Sequence, residues 1–147
     1  MALYTARDSA VALSASTTKT IVQVVASSSK PVRIVEIGVS FDGTSGSATP
    51  VAVDLLRQTT AGTSSSLTFV YENPQTETAI ATALKTFTAE PTAGDILRSW
   101  YVTPAGGLFV MQFPLGREPV VGVSGRIGIR CNAPATVNTT AYITFEE

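Results

Sequence analysis

The chain contains no histidine. That removes the side chain that most often serves as a general base and most often binds a metal. Ser-His-Asp and Cys-His nucleophilic arrangements are excluded with it. Cysteine is nearly absent: Cys131 stands alone, so the chain can form no internal disulfide and no Cys-rich zinc site. Charge is scarce as well. Charged residues make up 14% of the chain, with a net charge of −1, against about 25% in an average soluble domain. Lys and Arg form no run, so the basic stripe of a nucleic-acid surface is missing. Long apolar runs are also missing. TIVQVVA is too short for a membrane span and carries Gln23 at its centre, while Arg7 and Asp8 interrupt the N-terminal MALYTARDSAVAL. Neither nucleic acid nor membrane is an expected partner, and no signal peptide is expected.

Ser, Thr, Ala, Gly and β-branched residues fill the chain instead. A surface with so few charges favours association, so much of it is expected to be covered by other subunits. The 147 residues suit a single domain. A chain of this size buries roughly 68–70% of its unfolded surface and needs no disulfide or metal to hold a core. We expect one domain over residues 1–147, with residues 1–15 as a first strand or an arm.

Period-two alternation runs from end to end. It predicts strands over 4–15, 20–26, 32–41, 51–58, 66–71, 84–88, 97–103, 108–113, 125–132 and 136–145, separated by turns rich in Gly, Pro, Ser and Asn. The hairpin PVRIVEIGVSFDGTSGSATPVAVDLLRQTTAG is the longest such unit. Within it, Val35, Ile37, Val39 and Phe41 are expected on one face, with Ile34, Glu36 and Ser40 on the other. Val51, Val53 and Leu55 are expected opposite Asp54 and Gln58. Val137, Thr139, Ala141, Ile143 and Phe145 form one face of the last strand. Ile127, Ile129 and Cys131 share a face in RIGIRC, with Arg126 and Arg130 on the other, so Cys131 is expected to be buried and inert. TIVQVV is apolar on both faces, which predicts a central strand or one lying against a neighbouring subunit. TETAIATALK, within Thr76–Lys85, is Ala-rich and predicts at most one short helix. The fold class is all-β: an antiparallel β-sandwich, jelly-roll-like. An immunoglobulin-like sandwich is the alternative, though the paired cysteines of true members are absent.

No motif for chemistry stands out. Glu36, Asp42, Asp54, Glu72, Glu90, Asp95 and Glu118 are possible acids, yet nothing in the sequence pairs two of them as a glycosidase needs. FDGTSGS carries one carboxylate where a calcium loop needs several oxygen ligands. TAGTSSS and PAGG lack the Lys and the following helix of a phosphate loop. Lys19 and Lys30 lie in turn-like segments and make poor bases for a Ser-Lys dyad. No catalytic residue, metal or cofactor is expected, and the chain is read as no enzyme. The conspicuous cluster is aromatic and Arg-rich: Arg98, Trp100, Tyr101, Phe109, Phe113 and Arg117. Trp, Tyr and Arg are enriched at interface hot spots, although Trp100 and Phe109 equally suit a core. With Tyr4 and Arg7 of the first strand, the candidate interface set is Tyr4, Arg7, Arg98, Trp100, Tyr101, Phe113 and Arg117. Exposed aromatics also suit stacking on sugars.

The hairpin quoted above, then EPTAGDIL, QFPLGREPVV, GRIGIRCNAP and a closing Glu-Glu, resembles small virion proteins of tailed bacteriophages. The resemblance covers residues 31–147 and carries no catalytic motif. Residues before Pro31 show none of its motifs. It implies a structural virion protein of the capsid decoration, or cement, type. Such a protein binds the outer capsid surface as a homotrimer, with itself and the major capsid protein as partners, and assembles in the bacterial host cytoplasm. The alternative is a glycan- or host-binding module of a phage tail or head fibre, working through Trp100, Tyr101 and neighbouring loops.

Overall fold

Alternating apolar residues bring two sheets face to face. The computed structural model describes residues 2–43, 45, 47–73 and 77–147. In chain order its strands are β1 (Leu3–Leu13), β2 (Thr18–Val25), β3 (Val32–Phe41), β4 (Val51–Gln58), β5 (Thr63–Leu67), β6 (Val70–Tyr71), β7 (Thr82–Ala89), β8 (Ala93–Val102), β9 (Leu108–Gln112), β10 (Val120–Val121), β11 (Arg126–Asn132) and β12 (Val137–Glu146). The first sheet runs β10-β3-β12-β1-β6, with β9 also paired to β3. The second runs β5-β7-β2-β11-β4-β8. Neighbouring strands pair antiparallel throughout, and the two sheets form a β-sandwich.

The core lies between the sheets. Val137, Thr139, Ala141, Ile143 and Phe145 of β12 are all buried on one face, as expected. Ile127, Ile129 and Cys131 of β11 are buried too, with Arg126 and Arg130 half-buried on the opposite face. Burial pushes the Cys131 thiol up to about 12, with the charge of Asp54 adding to the rise and a hydrogen bond with Thr139 opposing it.

Four expectations change. Ile34 is buried in the core instead of facing outward. Thr144 pairs with Glu36 and Phe145 with Ile34, so Val35 is an extra residue in β3. That bulge resets the alternation and puts Val32 and Ile34 on the same side as Ile37, Val39 and Phe41. Gln58 is buried, not solvated, for a reason given below. No helix forms among the described residues. From Thr82 onward the expected helix is β7, with Ala83 opposite Val24 and Leu84 opposite Gln23; Thr76 lies outside the described residues. Ala81 and Ala83 are buried two residues apart, a strand spacing, and β-branched Thr82 favours the sheet. The expected strand over 66–71 divides into β5 and β6, which belong to different sheets.

Both faces of TIVQVV are buried because β2 is central and the chain itself covers the outer side. The turns after β4 and β7 clasp each other: the Thr59 N–H donates to the Thr92 carbonyl (3.0 Å) and the Thr92 N–H to Thr60 Oγ1 (2.9 Å). Beneath them runs a polar chain. Gln23 Nε2 donates to Gln58 Oε1 (2.6 Å) and to the Thr60 carbonyl (3.1 Å). Gln58 Nε2 donates to Thr20 Oγ1 (3.0 Å), which donates to Glu90 Oε2 (2.7 Å). Arg126 Nη1 meets Gln23 Oε1 at 3.3 Å. Burial of these amides is tolerated because each has partners. Gly128 leaves the space: a Cβ there would lie 2.4 Å from Gln58 Oε1.

Candidate interaction surface

The seven residues expected at an interface fall in different environments. Tyr4 is 1% exposed. Its ring packs among Phe69, Tyr71 and Phe145 at centroid distances of 5.4, 5.0 and 5.5 Å, closing one side of the sandwich. Phe113 is 9% exposed, and its N–H donates to the Val35 carbonyl at 2.9 Å. Both side chains therefore belong to the core and offer a partner almost nothing. Arg7 is exposed on the outer face of the first sheet, in register with Tyr142. Arg117 is exposed in a turn closed by its own N–H on the Pro114 carbonyl at 2.9 Å.

Arg98, Trp100 and Tyr101 share β8, the edge of the second sheet. Alternation divides them. Trp100 pairs with Val53, turns inward and packs on Phe109 at 4.5 Å. This tilted pair joins β8 to β9 and closes the other side of the sandwich. It is half-buried, so its main work is packing, worth about 0.5–1.5 kcal/mol beyond the area it buries. Tyr101 pairs with Ala52, turns outward and is 79% exposed. Arg98 is exposed, with Nη1 donating to the Leu97 carbonyl at 2.7 Å.

A second group was not legible in the sequence. Leu108 and Val110 lie opposite Ser40 and Gly38, and Val120 lies opposite Arg33. All three are exposed along the β3 side of the first sheet, with Leu115 (92% exposed) in the intervening loop and Val123 beyond β10. In LFVMQF the outward set is Leu108, Val110 and Gln112, so Gln112 is the one polar signal of an outer face. Size gives the other signal: Phe109, Met111 and Phe113 are the bulkier set and pack inward. These exposed apolar side chains are gathered along one edge of the first sheet.

The outer face of the first sheet is polar beside that row. The Tyr142 ring lies against Gly38, where a Cβ would meet its Cε1 at 2.0 Å. Tyr142 Oη donates to Glu36 Oε1, and Gln112 Nε2 donates to Glu36 Oε2 at 2.6 Å. Burial pushes Tyr142 up to about 12, with its bond to Glu36 and the charges of Glu36 and Glu72 adding to the rise. Further along, Thr5 Oγ1 donates to Glu72 Oε1 and lies 2.7 Å from Thr144 Oγ1.

On the outer face of the second sheet, Tyr101 borders an open groove of about 500 Å³. Asp54 Oδ2 accepts from Arg130 Nη2 at 2.8 Å, and Asp54 Oδ1 accepts from Ser99 Oγ at 2.7 Å. Asn132 Nδ2 donates to Thr18 Oγ1 at 3.0 Å. Glu36, Asp54, Glu72 and Glu90 thus each hold a donor of their own. Among the described residues no group of three or more Cys, Asp or Glu side chains is placed to hold a metal ion. No protein family, curated protein or solved structure matches the chain.

Proposed function

We propose that this chain is a structural virion subunit, a capsid decoration protein that binds the outer capsid surface of a tailed phage as a homotrimer. The observation that carries the reading is the row of exposed apolar side chains, Leu108, Val110, Leu115, Val120 and Val123, along one edge of the first sheet. In this reading copies of the chain meet through that row, and the trimer bridges subunits of the major capsid protein. Sparse charge supports it, because few charges have to be desolvated when subunits meet. The strand order also fits. Taking β1, β12, β3 and β9 in one sheet and β2, β11, β4 and β8 in the other as the eight strands of a jelly roll, with β5, β6, β7 and β10 as additions, is compatible with the observed strand order and supports the reading, since viral capsid domains use that architecture. The resemblance over residues 31–147 supplies the phage setting.

The reading assigns no catalysis to the chain. Co-sedimentation of the purified chain with heads assembled from the major capsid protein of the same phage tests it. Saturable pelleting of the chain with heads is expected. A chain that stays in the supernatant at every head concentration overturns the reading.

A further inference from the structure

We propose that the groove beside Tyr101 binds a neutral saccharide. It lies on the outer face of the second sheet, whereas the apolar row belongs to the first, so this inference does not rest on the assembly reading. Its charged lining residues among those described are Asp54 and Arg130, and they neutralise each other at 2.8 Å. A phosphate or carboxylate ligand would meet the Asp54 carboxylate, and a cationic ligand the Arg130 guanidinium. What the lining offers is a dense mixture of donors and acceptors: Asp54, Arg130, Asn132, Thr18 and Ser16. Adjacent sugar hydroxyls each donate and accept, and planar carboxylate, guanidinium and amide groups match them in pairs.

Tyr101 supplies the second half of the recognition. It is 79% exposed, and its cross-strand neighbour is only Ala52. The negative face of an aromatic ring attracts the polarised C–H bonds on the flat side of a sugar. The groove is also held in shape. The Ser16 N–H donates to the Ala133 carbonyl at 2.7 Å, tying the β1–β2 turn to the turn after β11, and Asn132 is fixed on Thr18. A volume of about 500 Å³ falls within the range of small-ligand sites.

The test is an amide-shift titration of the full chain by NMR with glucose, galactose, mannose and N-acetylglucosamine, and with glucuronate as the charged control. At least one neutral sugar should shift the amides of Ala52, Tyr101, Arg130 and Asn132. Tyr101→Ala should weaken that sugar about tenfold. An unchanged melting temperature in this variant would show that the loss is not one of folding. Asn132→Ala provides a second, independent weakening. No shift with any neutral sugar, shifts that map elsewhere, stronger binding of glucuronate, or full binding by Tyr101→Ala would each overturn the proposal.

Discussion

Gly128→Ala tests the packing account where two effects oppose each other. Alanine in place of a strand glycine ordinarily stabilises a protein by about 0.5–1 kcal/mol, because the unfolded chain loses freedom. Here the new Cβ would sit 2.4 Å from Gln58 Oε1, 3.0 Å from its Cδ and 3.2 Å from the Val22 carbonyl oxygen. The carbonyl belongs to the sheet backbone, so the Gln58 side chain has to move. Its departure breaks the bonds from Gln23 Nε2 (2.6 Å) and to Thr20 Oγ1 (3.0 Å), in a region where Gln23 and Thr20 are almost wholly buried. Each buried polar group left without a partner costs about 1–3 kcal/mol. After the glycine offset, the net loss is about 2–4 kcal/mol, a fall in melting temperature on the order of 5–15 °C for a chain of this length. Urea denaturation reads this as a lower midpoint with an unchanged m-value. Adding Gln58→Ala removes the clashing amide, so the double variant should lose less than the sum of the single losses. A Gly128→Ala protein within about 0.5 kcal/mol of the parent, or more stable than it, would refute the reasoning.

Tyr142→Phe tests the raised tyrosine. Tyr142 keeps its proton to about 12 in the fold, whereas an unfolded tyrosine loses it near about 10. Its stabilisation is full below pH 10 and is lost as pH rises from about 10 to about 12. The stability gap between parent and Tyr142→Phe should therefore narrow across that window; a gap constant with pH would contradict the account. Cys131 is 1% exposed, so a thiol reagent at pH 8 should modify it only as fast as the chain unfolds. Rapid labelling of the native protein would place that thiol outside the core.

How much of this was legible in the sequence depended on whether one face was polar. β12 and β11 alternate cleanly, and their inward sets, including Cys131, are read from sequence without help from the structure. β3 failed at Val35 because a bulge is set by pairing with β12, which local alternation does not contain. Gln58 failed because an amide reads as a surface residue, and its burial depends on Gly128 one strand away and on turns that fold over the sheet. The short strands β6 and β10 are only two residues each, too short for any periodic signal. Most of β7 was read as the strand 84–88, but its first residues fell within the expected short helix because alanine spacing over so short a stretch fits either period. Among the candidate interface residues, Tyr101 and Trp100 look equivalent by type, and one step of alternation separates an exposed ring from a packed one. The apolar row was hidden for the opposite reason: Leu108 and Val110 read as core residues, and only Gln112 on their face, with the greater bulk of Phe109, Met111 and Phe113 opposite, marks it as outward.

The central claim is that the exposed apolar row joins copies of this chain. Light scattering on the purified chain at micromolar concentration tests it most directly. The account predicts a particle of roughly 46 kDa, three chains of 15.3 kDa. It further predicts that Leu108→Asp with Val110→Asp returns the particle to the single-chain mass while the fold persists. A single-chain mass for the unaltered protein at that concentration, or a trimer indifferent to both aspartates, would contradict it.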